Sequence, residues 1–231
     1  IAGLLHDCGK ITTPVHVVDK STKLQTIYDR IELIDTRFEV LKRDAEIAAL
    51  KEKLSVTQSG QQKQITFIEQ QLALTLKQYD DDREFLRRCN IGSEAMSAQD
   101  QDRVATIAGY SHIGINGLTA RFLSAEEQEN LSIRSGTLTK AERSIINQHI
   151  VTSINMLESL PWPAHLKNVP EYAGGHHERM DGKGYPRGLK REQMSVQARV
   201  MGIADIFEAL TARDRPYKRG KTLSESLESL G

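Results

Sequence analysis

The stretch HHERMDGKGYP, residues 176–186, places two adjacent histidines directly before a loop rich in glycine and proline. A second pair, His6 and Asp7, stands near the start of the chain, while His149 and Asp205 stand in segments with helical patterns. Imidazole and carboxylate groups together suit divalent iron, manganese or zinc. A single histidine on a helix is more often structural than a metal ligand, but this combination predicts a metal centre built from distant parts of the sequence.

Helical patterns surround these residues. Thr139 and Glu142 have the spacing of a capping box, which predicts that a helix begins there and carries His149. The segment 195–211 is predicted to be a buried helix, because its apolar residues fall on one side. Those residues are Val196, Val200, Ile203, Ile206 and Leu210. The chain has no convincing alternating strand pattern, so the predicted fold class is all-α.

The segment 24–135 has a different spacing of apolar residues. Its apolar or small residues recur at steps that alternate between four and three, which is the spacing of a heptad seam. The first seam comprises Ile27, Ile31, Ile34, Phe38, Leu41, Ala45 and Ala48, and the second comprises Ile65, Ile68, Leu72, Thr75 and Tyr79. A turn-like stretch at 55–60 separates the seams, so residues 25–90 are predicted to form an antiparallel helical hairpin. Two shorter helices are predicted to begin at Ser97 and Ser124.

The composition narrows the classes of partner. Among 231 residues, 31 Lys and Arg balance 31 Asp and Glu, which gives no support for binding a nucleic acid polymer or a polybasic membrane surface. A local basic pocket remains compatible with this balance. The two cysteines are too few for a disulfide framework and predict a reducing, cytoplasmic location. The sequence contains no run of ~18 apolar residues, so we expect no membrane segment.

Four motifs carry a resemblance to a known family. HDCGK at 6–10 resembles the HD-x-G-K motif of the HD phosphohydrolase superfamily, and residues 176–186 match HHE-x-x-DG-x-GYP, the motif of its HD-GYP subfamily. ADIFEALT at 204–211 and RPYK at 215–218 also follow that subfamily in order and spacing. The resemblance implies an HD-type helical bundle formed by residues 1–23 and 136–231, with residues 24–135 as an insertion.

The resemblance also implies a function. HD-GYP domains hold two or three metal ions, with iron or manganese expected here, and hydrolyse the bacterial second messenger cyclic di-GMP to linear pGpG and often on to GMP. The implied ligands are His6, Asp7, His149, His176, His177 and Asp205, with Asp7 as the bridging carboxylate. Lys10 would stabilise charge at the scissile phosphate. The implied substrate-binding residues are Gly184, Tyr185, Arg215 and Lys218, the last two holding phosphate or guanine.

The family also carries a Glu and a His ligand on a helix upstream of the HD pair, whereas this chain begins five residues before His6. We therefore expect the chain to be part of a longer bacterial signalling protein with an upstream sensor domain, and the hairpin is a candidate homodimer interface. Two alternatives stay open at this point. One is a different HD phosphohydrolase that acts on nucleotides or phosphate esters. The other is a non-catalytic module that senses cyclic di-GMP.

Overall fold

The computed structural model describes residues 1–59, 64–92, 95–113, 117–212 and 222–230. The chain divides into two compact units. Ile1–Ser21 and Lys140–Gly231 form one, called here the histidine unit, and Thr22–Thr139 form the other, called the hairpin unit. These borders lie close to those expected from the family resemblance, although the identity of each part as a domain stays a prediction.

Helices dominate both units, which confirms the all-α class. The α-helices are α1 (Ala2–Leu5), α2 (Val15–Val18), α3 (Ile31–Gln58), α4 (Gln64–Ile91), α5 (Ala98–Ala108), α6 (Ala125–Leu131), α7 (Lys140–Glu158), α8 (Val169–Gly174), α9 (Val196–Thr211) and α10 (Leu223–Leu230). Short 3-10 helices span Cys8–Thr12, Ala164–Leu166 and Arg191–Gln193. None of the described helices is both long and apolar enough to cross a bilayer.

One two-stranded sheet was not expected from the sequence. Strand β1 (Ser111–Ile113) pairs antiparallel with β2 (Thr119–Arg121), with His112 opposite Ala120. Three residues a strand are too few to show an alternating pattern, so no periodicity in the sequence indicates this pair.

Helices α3 and α4 form the predicted antiparallel hairpin. Ion pairs join opposite ends of the two helices, from Asp35 to Arg87 at 2.7 Å and from Lys53 to Glu69 at 2.7 Å. Ile34, Phe38, Leu41, Ala49 and Val56 are the buried hydrophobic residues of α3. The predicted seam is therefore wrong at Ala48, because an α-helix repeats every 3.6 residues and drifts away from a strict heptad.

The seam also begins later than predicted. Ile27 precedes α3 and is 97% exposed. The helix begins at Ile31, whose backbone N–H donates to the Asp29 carboxylate at 3.0 Å. At the other predicted helix starts, Ser97 accepts from the Asp100 N–H, and Ser124 forms the complete capping box with Glu127. Both predicted caps are therefore confirmed.

In the histidine unit, the 3-10 helix Cys8–Thr12 packs closely against α7. The Gly9 N–H donates to Ser153 Oγ at 2.8 Å, and both residues are buried. A Cβ atom at Gly9 would lie 2.6 Å from Ser153 N, which is closer than real Cβ atoms come to a neighbouring atom. The glycine therefore allows the HD segment to lie directly on the helix that carries His149.

Helix α9 has the predicted length, and Ser195 caps it by accepting from the Ala198 N–H at 3.1 Å. Its predicted burial is wrong. Val196, Val200, Ile203 and Ile206 are 60%, 58%, 50% and 48% exposed. The helix packs through small residues instead, since a Cβ atom at Gly202 would lie 2.9 Å from His176 O. This close approach turns the larger apolar side chains away from the described core.

Candidate metal centre

Four segments of the histidine unit bring the six implied ligands together. His6 and Asp7 lie between α1 and the first 3-10 helix, one histidine lies on α7, two follow α8, and an aspartate lies on α9. The full set is His6, Asp7, His149, His176, His177 and Asp205. In the described residues they form two groups, within each of which the candidate ligand atoms lie within 4.8 Å of one another.

Asp7 belongs to both groups. Its Oδ1 atom lies 3.1 Å from His149 Nε2 and 3.7 Å from His176 Nε2. Its Oδ2 atom lies 3.3 Å from His6 Nε2, which in turn lies 3.6 Å from Asp205 Oδ1. One carboxylate thus presents one oxygen to each group of ligands, which is the arrangement of a bridging ligand between two ions.

The backbone orients three of the histidine rings in the same way. In each case Nδ1 bonds a carbonyl oxygen three residues earlier in the chain. The three contacts are His6 to Gly3 O at 2.9 Å, His149 to Ile146 O at 2.5 Å and His176 to Ala173 O at 2.6 Å. Because a carbonyl only accepts, Nδ1 carries the proton and Nε2 is left as a lone pair, as metal-ligating histidines require.

These lone pairs face the Asp7 carboxylate. A neutral Nε2 and a carboxylate oxygen both accept hydrogen bonds, so neither satisfies the other. Among the described residues, Asp7 Oδ1 and His176 Nε2 are buried atoms that have no hydrogen-bond partner. Buried polar atoms are normally satisfied, and a divalent cation between them would satisfy both. The residues present therefore fit a metal ion.

The protonation states agree with that fit. Burial and the neighbouring His176 and His149 lower the pKa of His177 to about 3, so its imidazole is neutral at pH 7. Burial raises the pKa of Asp7, but the hydrogen bond and the positive charge of Lys10 act in the opposite direction, and the pKa lies well below its usual range. Neutral imidazole and ionised carboxylate are the forms that bind metal.

Lys10 lies at the rim of the centre. Its Nζ atom is 2.5 Å from Asp7 Oδ2, and its side chain is 41% exposed. The first 3-10 helix carries Lys10 three residues after Asp7, so a cation stands directly beside the shared carboxylate. Its role at a phosphate stays a prediction.

The loop after the histidine pair is held by a residue to which sequence reasoning gave no role. The buried Glu178 carboxylate accepts from the Arg187 N–H at 2.7 Å and from the Leu189 N–H at 2.8 Å. The acidic residue between the histidine pair and the loop was the available signal, because a carboxylate that becomes buried needs hydrogen-bond partners. Gly184 lies so near this point that a Cβ atom would be 2.5 Å from Glu178 Cα. The backbone at position 184 lies so close to the backbone at Glu178 that only glycine fits there.

Tyr185 completes the loop. Its ring stacks on the His177 ring with centroids 4.8 Å apart and planes 21° apart. The structure therefore places Tyr185 against the candidate ligand His177 and Gly184 against Glu178, while the implied contacts of both residues with substrate stay predictions. The predicted substrate residues Arg215 and Lys218 lie outside the described residues.

Comparisons with known proteins agree with these observations. Residues 124–231 match the family model described as HD domain. The chain is 36% identical over 102 residues to a cyclic di-GMP phosphodiesterase of Thermotoga maritima, covering 44% of this chain and 27% of that protein. It is 35% identical over 111 residues to 3'3'-cGAMP-specific phosphodiesterase 1 of Vibrio cholerae, covering 48% of this chain and 25% of that protein.

A longer match extends across more of the chain. It is 28% identical over 184 residues to the cyclic di-GMP phosphodiesterase response regulator RpfG of Xanthomonas campestris, covering 71% of this chain and 47% of that protein. The chain spans about a quarter of the length of the first two relatives and about half of the third.

Residues 124–231 thus match an HD domain, in agreement with their helical fold, and HD domains are metal-dependent. Together with the HHE-x-x-DG-x-GYP motif, these similarities support the resemblance to the HD-GYP family.

Proposed function

We propose that this chain forms the catalytic part of a metal-dependent phosphodiesterase that hydrolyses cyclic di-GMP to linear pGpG, GMP or both. The observation that carries the proposal is the position of Asp7, whose two carboxylate oxygens face two groups of candidate metal ligands. Two ions held ~4 Å apart can stabilise both the attacking and the leaving oxygen of a phosphoryl transfer. The similarity to proteins named cyclic di-GMP phosphodiesterases supports this substrate class.

The family resemblance favours two or three ions of iron or manganese, and imidazole and carboxylate ligands are compatible with both metals. When bound, such ions supply Lewis acidity and lower the pKa of water. His6, His149 and His176 present Nε2 atoms whose direction is set by backbone carbonyls. The protein therefore holds the ligands in place before any ion arrives.

Other residues act on the substrate. Lys10 places a positive charge beside Asp7, where it would stabilise the charge that develops on the phosphoryl oxygens. Tyr185 and Gly184 form the floor under the nucleotide, and Arg215 and Lys218 hold phosphate or guanine. Water adds to phosphorus and the bond to the ribose 3′ oxygen breaks, which opens the ring to the linear dinucleotide.

The test uses the natural protein that contains this chain, purified under reducing conditions and loaded with ferrous iron or manganese. It is incubated with cyclic di-GMP and, in parallel, with 3'3'-cGAMP, because a relative bears that name. Chromatography should show linear dinucleotide or GMP. Turnover of other phosphate esters alone would favour a different HD phosphohydrolase, and tight binding without turnover would identify a sensing module.

We also propose that the hairpin unit associates with a second copy of itself. Four apolar residues of α3 repeat every seven positions on a face outside the hairpin seam, which is the spacing of a coiled-coil contact. Leu33, Val40, Ile47 and Leu54 are 41%, 42%, 48% and 61% exposed. Light scattering should detect a dimer, and V40E combined with I47E should convert it to monomer. A monomeric unmodified protein would contradict this proposal.

The location and the upstream partner are further proposals. Cys8 and Cys89 are both free, which suits a cytoplasmic protein. We further propose that a sensor domain or signalling protein controls the metal centre, because one relative is named a response regulator. Fractionation of cells that produce the natural protein should place it in the cytoplasm.

A further inference from the structure

A cleft of about 420 Å³ lies beside the metal centre. It is lined by Lys140, Arg143, Ser144, Asn147, Gln148, Val151, Tyr185 and Pro186. We propose that this cleft binds the second phosphate of a cyclic dinucleotide, the one that is not being hydrolysed, and that Arg143 and Lys140 are its anion-binding residues. This inference rests on the proposed function and adds a subsite to it.

The polar side chains of the cleft come from one face of α7. Lys140, Ser144, Asn147 and Val151 follow one another at steps of four, three and four, so they line up along the helix. Arg143 lies on the same side, one turn after Lys140. A single rigid helix thus presents two cations, a hydroxyl and an amide to the same space.

Lys140 and Arg143 are not neutralised by any acidic side chain among the described residues. In the described residues, neither Lys140 nor Arg143 makes an ion pair or a side-chain hydrogen bond. The adjacent Glu142 does not neutralise them, because both of its carboxylate oxygens accept from Lys20 at 2.9 Å. By contrast, Arg187 in the same unit pairs with Glu158 at 3.0 Å. The side chains that line the cleft therefore carry a net positive charge, which can bind an anion.

Tyr185 connects this cleft to the metal centre. Its ring stacks on His177, and the same residue lines the cleft. Asn147 and Gln148 directly precede His149 on α7. A ligand with one phosphate at the histidines can therefore reach the cleft by passing a single aromatic side chain.

The chemistry of a cyclic dinucleotide fits the two sites together. It carries two phosphodiester groups joined through nucleosides, so both anions need a cation when one lies at the metals. A guanidinium suits phosphate because its planar fork donates two parallel hydrogen bonds, and lysine adds a point charge. The volume falls within the range of small-molecule sites, about 300–1,000 Å³.

The test compares two substrates in the natural, metal-loaded protein. Cyclic di-GMP has a second phosphate, whereas bis(p-nitrophenyl) phosphate is a phosphodiester that has only one. R143Q should raise KM for cyclic di-GMP roughly tenfold, the usual size for a lost charge-assisted hydrogen bond, and K140Q should raise it by less. Both variants should hydrolyse bis(p-nitrophenyl) phosphate as the unmodified protein does.

The matched control is R191Q, since Arg191 is an exposed arginine of the same unit that does not line the cleft. An equal KM for cyclic di-GMP in R143Q and R191Q would overturn the subsite and leave the proposed function intact. A parallel loss on both substrates would also overturn it, because it would show a defect at the metal centre. If the unmodified protein does not hydrolyse cyclic di-GMP, the proposed function fails and the subsite fails with it.

Discussion

The hairpin unit and the histidine unit differ in how some of their buried polar groups are hydrogen-bonded. In the hairpin unit the buried Asp82 accepts from Arg103 at 2.8 Å and from the Tyr110 hydroxyl at 2.6 Å. The buried Lys23 donates to two backbone carbonyls. In the histidine unit, Asp7 Oδ1 and His176 Nε2 are buried together and have no hydrogen-bond partner in the part of the chain that the structure describes. Satisfied groups build the fold, whereas a converging unsatisfied set indicates a place for a ligand.

Two buried atoms of the hairpin unit are exceptions, but they do not remove the difference between the units. Within the described part of the hairpin unit, Arg83 Nε and His112 Nδ1 are also buried without a hydrogen-bond partner. The Arg83 guanidinium still pairs through Nη1 with Glu39 at 2.9 Å, so its charge is met. In the described residues, neither group belongs to a cluster of candidate metal ligands. What distinguishes the histidine unit is therefore the convergence of several such atoms.

Removing ligands from the unsatisfied set should have the largest effect. Alanine at both His176 and His177 should abolish bound metal and lower turnover of cyclic di-GMP by more than about a hundredfold, since weakening even an outer partner costs that much. Elemental analysis and chromatography measure the two quantities. H165A is the matched control, because His165 is exposed and lies outside the centre. Retained metal in the double variant would contradict the assignment.

Breaking the satisfied set should affect stability instead. D82A leaves Arg103 and Tyr110 without their buried acceptor, and we expect it to lower the free energy of unfolding by about 3 kcal/mol. Urea denaturation followed by circular dichroism measures this, and metal content should not change. D81A is the control, because the neighbouring Asp81 is exposed. Equal losses of stability in D82A and D81A would show that the hydrogen bonds of the buried Asp82 do not stabilise the fold more than those of an exposed aspartate.

Glu178 shares features with both the satisfied and the unsatisfied buried groups. Its carboxylate is hydrogen-bonded, and yet it lies beside the metal centre. E178A frees the backbone N–H groups of Arg187 and Leu189, so the loop that holds Tyr185 should shift. We expect kcat/KM to fall roughly tenfold while bound metal is retained. E178Q keeps one acceptor oxygen and should lose less. Loss of metal in E178A would show that Glu178 supports the ligands directly.

The smallest effect concerns Glu127. Burial raises the pKa of Glu127, but Arg37 and the Ser124 N–H lower it by more, so it lies below its ordinary value of 4.5. The carboxylate therefore stabilises the fold above that value, and this stabilisation is lost as the pH falls through the lowered pKa.

E127Q removes the charge and keeps an oxygen for the cap. The difference in free energy of unfolding between E127Q and the unmodified protein should be roughly 1 kcal/mol at neutral pH and should shrink in acid. Denaturation across that pH range measures it. A difference that does not vary with pH would rule out the charge as its source.

Local features could be predicted from the sequence. The caps at Ser97 and Ser124 depend on residues three positions apart, and the hairpin depends on a repeat within each helix. The burial of α9 could not be predicted, because it depends on a close approach between Gly202 and a distant backbone oxygen of His176. A single close approach of this kind leaves no periodic pattern in either segment.

The site shows the same division. The implied ligands were named from motifs, and the structure brings all six together. Motif spacing does not show that the two oxygens of Asp7 face different groups, or that backbone carbonyls select the tautomers. The anchoring role of Glu178 was also missed, because its partners, Arg187 and Leu189, contribute only backbone N–H groups. A residue of almost any type could supply them.

The ion pair between Lys20 and Glu142 has a consequence for engineering and evolution. Lys20 Nζ lies 2.9 Å from both Glu142 oxygens, so an ion pair joins the two segments of the histidine unit on either side of the stretch 22–139. We therefore expect that this stretch can be lengthened, exchanged or replaced by a linker while the segments that carry the metal ligands keep their order.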